Sequence, residues 1–220
     1  MSLIKIVNIS KSYQDIPVIK NLSLDIPDGA FCIITGKSGC GKTTLLNIIG
    51  KLDKADSGKV YIDDLDIDEI GQKKYFQNDV AFLFQNFTLV ENKTIKQNLE
   101  MINKKAQTDV SMEDALKKVG LENQKNTKIY KLSGGEQQRV ALARVIMKKS
   151  KLVLADEPTG SLDSENATIV IDILRKMTHE GKTVIMVTHD KSLITKTDLT
   201  IELPHISEKN IRELHSCHKE

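Results

Sequence analysis

The chain has 220 residues, of which 40% are hydrophobic and 28% charged, as in a globular protein with one well-packed core. Its formal net charge of +2 excludes a strong field that would draw it to nucleic acid or to anionic lipid. Three scattered cysteines fit a reduced, cytosolic setting. No signal-peptide pattern is visible, and the longest apolar runs are far shorter than the roughly 20 residues of a membrane span.

Apolar residues alternate between Ile4 and Ile26 and predict β-strands that end at the turn Asp28-Gly29. Four short apolar runs follow later in the chain, at residues 31–34, 80–84, 152–155 and 183–187. Such runs are typical of parallel strands buried on both faces, and helical patterns lie between them. The alternation predicts an α/β protein with a parallel sheet.

The stretch from about Thr88 to Lys149 is different, because it is polar, lysine-rich and patterned as helix. One such helix should begin at Ser111 and end before Gly120. We therefore expect a helical lobe inserted into the sheet domain.

A glycine-rich segment between the first buried run and a helix matches the phosphate-loop pattern G-x-x-x-x-G-K-[ST]. Glycines let backbone N–H groups turn towards phosphate oxygens, and the helix adds its positive N-terminal end. Lys42 should reach the β- and γ-phosphates, and the Thr43 hydroxyl should ligate Mg²⁺. The motif alone leaves open a kinase, a GTPase or a motor ATPase. The candidate nucleotide-binding residues here are Gly36, Lys37, Ser38, Gly39, Cys40, Gly41, Lys42, Thr43 and Thr44.

Two carboxylates, Asp156 and Glu157, follow the third buried run, where ligands bind in open α/β sheets. Asp156 is the candidate partner of Mg²⁺. Glu157 is the candidate general base that accepts a proton from attacking water, a role worth about 10²–10⁴ in rate. A solvated strand end would be the ordinary interpretation of such a pair without the phosphate loop.

The run LSGGEQQR at residues 132–139 predicts a helix that begins at Ser133, which has capping-box spacing to Glu136. A well-capped helix does not explain Gly134 and Gly135, which each cost roughly 1 kcal/mol in a helical turn. Glycines fit if another group approaches the backbone closely, and a helix N-terminus is a second anion site. Because the chain has only one phosphate loop, we expect a two-fold dimer in which each copy completes the partner's site.

The phosphate loop, LSGGEQQR, and ADEPTGSLD at residues 155–163 together resemble ATP-binding-cassette (ABC) ATPases in order and spacing. The resemblance covers residues 3 to 200. It implies a P-loop NTPase (RecA-like) α/β core with a mainly parallel sheet, an N-terminal antiparallel β subdomain and an inserted helical subdomain. One ABC ATPase domain, 1–220, would comprise the core with the β subdomain (about 1–87 and 150–205), the helical subdomain (about 88–149) and a C-terminal tail (about 206–220).

The same resemblance implies roles for residues outside the phosphate loop. Tyr13 would stack on adenine with Val18 packed nearby. Gln85 would sense Mg²⁺ and the γ-phosphate, and His189 would hold the γ-phosphate and orient water. Asp163 would contact the opposite protomer.

The family pattern also divides the site between two copies of the chain. The catalytic residues would be Glu157, His189 and Lys42. The Mg²⁺ ligands would be Thr43, Gln85 and Asp156. The residues that contact the partner's ATP would be Ser133, Gly134, Gly135 and Gln137.

Residues 47–54 and ADEPTGSLD are similar to a narrower branch, the ATPases of macrolide, antimicrobial-peptide, bacteriocin and lipoprotein-release systems. The resemblance implies an ATPase that uses ATP and Mg²⁺, forms an ATP-dependent homodimer, and serves a separate permease from the cytoplasmic face of the membrane. We expect the permease to dock on residues 88–149, next to Phe87, Leu89 and Val90. A regulatory ATPase that moves no substrate remains an alternative. Near-neutral charge argues against a nucleic-acid partner.

Overall fold

The fold contains two β-sheets and a set of helices. A computed structural model describes residues 2–190, 193 and 197–205, so the predicted tail lies outside the described residues. The strands of the described part are β1 (Ser2–Tyr13), β2 (Ile16–Pro27), β3 (Phe31–Thr35), β4 (Ser57–Ile62), β5 (Leu65–Asp66), β6 (Val80–Leu83), β7 (Leu152–Asp156), β8 (Thr183–Val187) and β9 (Leu199–Glu202). The helices are α1 (Lys42–Ile49), α2 (Gln72–Asn78), α3 (Ile95–Leu99), α4 (Met112–Lys118), α5 (Gly134–Met147) and α6 (Ser164–His179).

The N-terminal strands form an antiparallel sheet in the order β2-β1-β4-β5. The turn between β1 and β2 consists of Gln14 and Asp15, whose φ angles of 49° and 65° are both left-handed. Two such residues are what a tight hairpin turn requires, because they match the twist of the strands they join. Tyr13 therefore lies at the very end of β1, paired with Ile16.

The second sheet is parallel and has the order β6-β7-β8-β3-β9. Its strands β3, β6, β7 and β8 fall on the four predicted apolar runs, which confirms the α/β fold with a mainly parallel sheet. The edge strand β9 was not predicted. It is short and only half-buried, so it lacks the continuous apolar run that marks the inner strands.

The parallel sheet separates two apolar cores. In β3, Phe31 and Ile33 belong to the core shared with α3 to α6, whereas Cys32 and Ile34 belong to the core shared with α1 and the antiparallel sheet. This alternation is the period of two expected of a strand covered on both faces. The sheet is thus a rigid platform between the two halves of the molecule.

Every named element between residues 88 and 149 is helical, as the sequence pattern indicates. Ser111 caps α4 by accepting a hydrogen bond from the Asp114 N–H at 3.0 Å, and Gly120, with a φ of 69°, follows the helix. None of the described helices is long and apolar enough to cross a membrane.

The end of α1 generates a stability prediction. A Cβ at Gly50 would lie 2.4 Å from Phe82 Cζ and 3.0 Å from Leu154 Cδ1. We expect Gly50→Ala to lower the free energy of unfolding by about 1–3 kcal/mol, because the half-buried Phe82 ring must shift. Denaturant unfolding monitored by circular dichroism measures this change.

The matched control is Gly71→Ala, where an added Cβ meets nothing within 4 Å. Phe82→Leu should recover part of the loss in the Gly50→Ala background, since it removes the clashing ring. Equal destabilisation by the two glycine substitutions would contradict the packing argument.

Candidate functional site

The phosphate loop joins β3 to α1, and three of its glycines require a backbone that side chains disfavour. Gly36, Gly39 and Gly41 have φ angles of 144°, 78° and 92°. A Cβ at Gly36 would also lie 2.6 Å from Cys40 Sγ, and one at Gly41 would lie 2.9 Å from Val18 Cγ1. No side chain caps the N-terminus of α1, so the N–H groups of its first turn remain available to an anion.

Lys42 is held inside this loop. Its Nζ donates hydrogen bonds to the carbonyl oxygens of Gly36 and Lys37, both at 3.0 Å. An ammonium group has three N–H donors, so these two bonds leave one for a phosphate oxygen. The positive charge therefore lies beside the uncapped end of α1, where both attract the same anion.

The structure brings Thr43 and Asp156 together at the end of β7. Thr43 Oγ1 donates a hydrogen bond to Asp156 Oδ1 at 3.1 Å. Burial raises the pKa of Asp156, and the hydrogen bond from Thr43 partly opposes this rise. A hydroxyl and a carboxylate oxygen are the hard ligands that Mg²⁺ prefers, so this pair fits the ion. Gln85, the third predicted ligand, lies against the loop after Glu157, with Nε2 3.6 Å from the Cβ position at Gly160.

Glu157 and His189 form a second polar pair beside the first. His189 Nδ1 lies 2.9 Å from Glu157 Oε1, while the buried Glu157 Oε2 has no hydrogen-bond partner among the described residues. A buried carboxylate oxygen without a partner is rare and costly, and it is free to accept a proton. Glu157 also has a left-handed φ of 45°, held by a hydrogen bond from its N–H to the Val187 carbonyl oxygen at 3.0 Å.

Tyr13 and Val18, the two residues predicted to contact adenine, border the same cleft as the phosphate loop and Glu157. The cleft has a volume of about 410 Å³. Its lining is Tyr13, Val18, Ser38, Gly39, Gly41, Lys42, Thr43, Thr44, Glu157 and Val187. Sequence reasoning missed Val187, whose only signal is that it ends a buried strand. It also missed Asp53, which bonds to the Tyr13 hydroxyl and which the sequence marks only as part of the run at residues 47–54.

The predicted helix start at Ser133 is confirmed. Ser133 Oγ accepts a hydrogen bond from the Glu136 N–H at 3.2 Å, and Glu136 Oε2 accepts one from the Ser133 N–H at 2.8 Å. Gln137 Nε2 donates to the Leu132 carbonyl oxygen at 3.1 Å. Within the described chain, neither Ser133, Gly134, Gly135 nor Gln137 lines the cleft that contains the phosphate loop.

The two glycines that follow Ser133 differ in their surroundings. A Cβ at Gly135 would lie 2.6 Å from Cγ of Asn166, whereas one at Gly134 would meet only Phe87 Cζ, at 3.9 Å. The group that approaches Gly135 therefore belongs to the same chain, and only Gly134 has open space. Asn166 is fixed by hydrogen bonds with Arg139 and with Asp163, which also caps α6.

A glycine-rich phosphate loop after a parallel strand, with paired carboxylates at the end of another strand of the same sheet, defines a P-loop nucleoside triphosphatase. Residues 19–160 match the family described as ABC transporter. The chain is 40% identical to the ABC transporter ATP-binding protein YvrO of Bacillus subtilis, over 88% of this chain and 90% of that protein. It is 38% identical to the lipoprotein-releasing system ATP-binding protein LolD of Desulfotalea psychrophila, over 92% and 96% of the two chains.

Other relatives are longer or have solved structures. The chain is 38% identical to the macrolide export ATP-binding/permease protein MacB of Mannheimia succiniciproducens but spans only 33% of its length. The cassette MJ0796 of Methanocaldococcus jannaschii, in a dimeric post-hydrolysis state with ADP and Pi, matches with a TM-score of 0.82 and 36% identity, over 92% and 94% of the two chains. The chain therefore belongs to the ABC transporter family and is an ATP-binding ATPase.

The contrast between the two glycines yields a prediction about the fold. Gly135→Ala should lower the free energy of unfolding by about 1–3 kcal/mol, because the new Cβ displaces the Asn166 side chain from its partners. Thermal or denaturant unfolding of the purified chain measures the effect.

Gly134→Ala is the matched control, since alanine fits there and is the better helix former by about 1 kcal/mol. If Gly134→Ala destabilises the isolated chain as much as Gly135→Ala, the packing of Asn166 does not explain the second glycine.

Proposed function

We propose that the chain is the ATP-hydrolysing subunit that powers export or release of a peptide, antimicrobial, bacteriocin or lipoprotein-type substrate through a separate membrane permease. The observation that carries the proposal is the meeting of the Thr43–Asp156 and Glu157–His189 pairs beside one phosphate loop. The names of MacB and LolD support the substrate classes. LolD, of which this chain covers 96%, is named as the ATP-binding protein of a releasing system, so by likeness to LolD the permease is proposed as another chain, on whose cytoplasmic face this subunit lies.

Binding of ATP follows from the cleft. Lys42 and the N-terminus of α1 hold the phosphates, and Tyr13 offers an aromatic face to adenine with Val18 beside it. Thr43, Asp156 and Gln85 would hold Mg²⁺, which when bound would supply neutralising charge for the phosphate oxygens. Together these groups are complementary to ATP, which is a polyanion that carries an aromatic base.

The proposed hydrolysis depends on the Glu157–His189 pair. Glu157 accepts a proton from water on its unpartnered Oε2, and the hydrogen bond to His189 orients the other oxygen. His189, with 73% of its side chain exposed, lies beside Glu157 and would contact the terminal phosphate.

Two copies of the chain would complete two sites. The residues proposed to contact the partner's ATP are Ser133, Gly134, Gly135 and Gln137, while Asp163 contacts the partner chain. The open space at Gly134 supports this arrangement, since among the described residues only Phe87 Cζ, at 3.9 Å, comes within 4 Å of the Cβ position there. A dimeric structure of MJ0796, 37% identical with a TM-score of 0.80, also supports it.

Glu157→Gln tests the catalytic proposal. The variant keeps the shape of the side chain but removes the base, so ATP should still bind while hydrolysis falls by about 10² or more. Phosphate release measures turnover, and size-exclusion chromatography with ATP and Mg²⁺ should show a trapped dimer.

Glu122→Gln is the control, because Glu122 is exposed and lies outside the site. A Glu157→Gln variant that hydrolyses ATP at the parent rate would overturn the assignment of the base. One that binds ATP and never dimerises would overturn the two-copy site.

The proposed docking surface for the permease is an apolar groove of about 610 Å³ beside the helical segment. Phe76, Phe82, Phe84 and Met101 contribute apolar lining, and Thr88 contributes part of the edge. Of the residues predicted to dock the permease, Phe87 and Leu89 are half-buried against the core and Val90 is exposed. The groove therefore fits one short apolar helix, with the segment 87–90 at its margin.

Charge in this groove, or in the segment 87–90 at its margin, should abolish docking. Met101→Glu and Val90→Glu change exposed side chains, so ATP binding by the purified chain should stay near normal while recruitment to permease-containing membranes is lost. Co-sedimentation with those membranes measures recruitment. Leu65→Glu, also at an exposed apolar residue but on β5, is the control, and unchanged recruitment of the groove variants would place the docking surface elsewhere.

A further inference from the structure

Tyr13 is restrained by contacts that its proposed role alone does not explain. Its hydroxyl donates a hydrogen bond to Asp53 Oδ2 at 2.5 Å. The Lys11 Nζ lies 5.1 Å from the centroid of the Tyr13 ring, a cation–π distance. These contacts join the end of β1 to the loop that follows α1.

Without these contacts, few interactions would restrain the Tyr13 ring. Tyr13 is 46% exposed and directly precedes the hairpin turn, so apolar packing does not fix its orientation. A free aromatic side chain would have to be ordered each time a base stacked on it, and such ordering weakens binding. A ring already fixed by its hydroxyl avoids that loss.

Asp53 is itself fixed on several sides. Its Oδ1 accepts hydrogen bonds from Lys11 Nζ at 3.0 Å and from the Lys54 N–H at 2.7 Å, and its own N–H donates to the Asn47 carbonyl oxygen at 3.2 Å. The hydrogen bond from Tyr13 is the main cause that holds the pKa of Asp53 below its usual value. Asp53 is thus an ionised, anchored acceptor for the Tyr13 hydroxyl.

We propose that Asp53 is a positioning residue of the ATP site, which fixes the Tyr13 ring for adenine before the nucleotide arrives. The inference rests on the proposed role of Tyr13 as the surface for the base. Asp53 is not among the residues that line the cleft, so it acts through Tyr13 rather than by touching ATP. Its effect is therefore confined to the base and leaves phosphate binding unchanged.

The test compares ATP with inorganic tripolyphosphate, which carries the phosphates without the base. In Asp53→Ala, the affinity for ATP, measured by calorimetry with Mg²⁺, should fall about 2- to 10-fold, the range expected for one side chain losing its order. Affinity for tripolyphosphate should not change. KM for ATP should rise with kcat unchanged, as for the loss of an interaction made equally in the ground and transition states.

Tyr13→Phe keeps the ring but removes the hydroxyl, so it should weaken ATP binding as much as Asp53→Ala does. Combining the two should cause no further loss, because both remove the same hydrogen bond. Asp25→Ala, at an exposed carboxylate on β2, is the control. An equal loss of tripolyphosphate affinity in Asp53→Ala, or additive effects in the double variant, would overturn the proposal.

Two other variants test the proposed function separately from the role of Asp53. If Tyr13→Ala leaves ATP affinity unchanged, the ring is not the surface for the base. If Lys42→Ala leaves both ATP and tripolyphosphate binding unchanged, the phosphate loop is not the site.

Discussion

Burial of the parallel strands on both faces is the constraint on which the site depends. Strands β3 and β8 are buried throughout, and β7 is buried up to Asp156, so the polar side chains of the site are placed at or just after the strand ends. The strands run parallel and in register, so their carboxyl ends lie at one edge of the sheet. The phosphate loop, the Asp156-Glu157 pair and His189 follow three neighbouring strands and meet for that reason.

Helix α5, which is capped by Ser133, is also linked to this edge of the sheet. Gln138 is fully buried, and its Nε2 donates a hydrogen bond to the Pro158 carbonyl oxygen at 2.8 Å. Pro158 directly follows Glu157, so helix α5 is joined to the segment that holds the candidate base. Asn166 adds a second link, because it connects Arg139 on α5 with Asp163 at the start of α6. A displacement of α5 would therefore strain both segments.

Local patterns in the sequence predicted the local parts of this arrangement. The buried strands, the phosphate loop and the capping box at Ser133 each depend on residues a few positions apart, and the structure has all of them. Contacts between distant residues could not be predicted in this way. Asp53 meets Tyr13 across 40 positions, and neither residue belongs to a pattern that names the other. Asn166 likewise explains Gly135 only after α5 and α6 have packed together.

The link between the proposed ATP site and the proposed docking groove also depends on contacts between residues that are distant in the sequence. Phe87 and Thr88 have left-handed φ angles of 56° and 48°, a conformation that costs energy for residues other than glycine. Arg144, on α5, stabilises it with three hydrogen bonds, to the Phe87 carbonyl oxygen and to the carbonyl and hydroxyl oxygens of Thr88. Gln85 lies two residues before Phe87, and Thr88 lines the groove. Because the strained segment is fixed to α5, a change at Gln85 would be transmitted to the groove rather than absorbed by the loop.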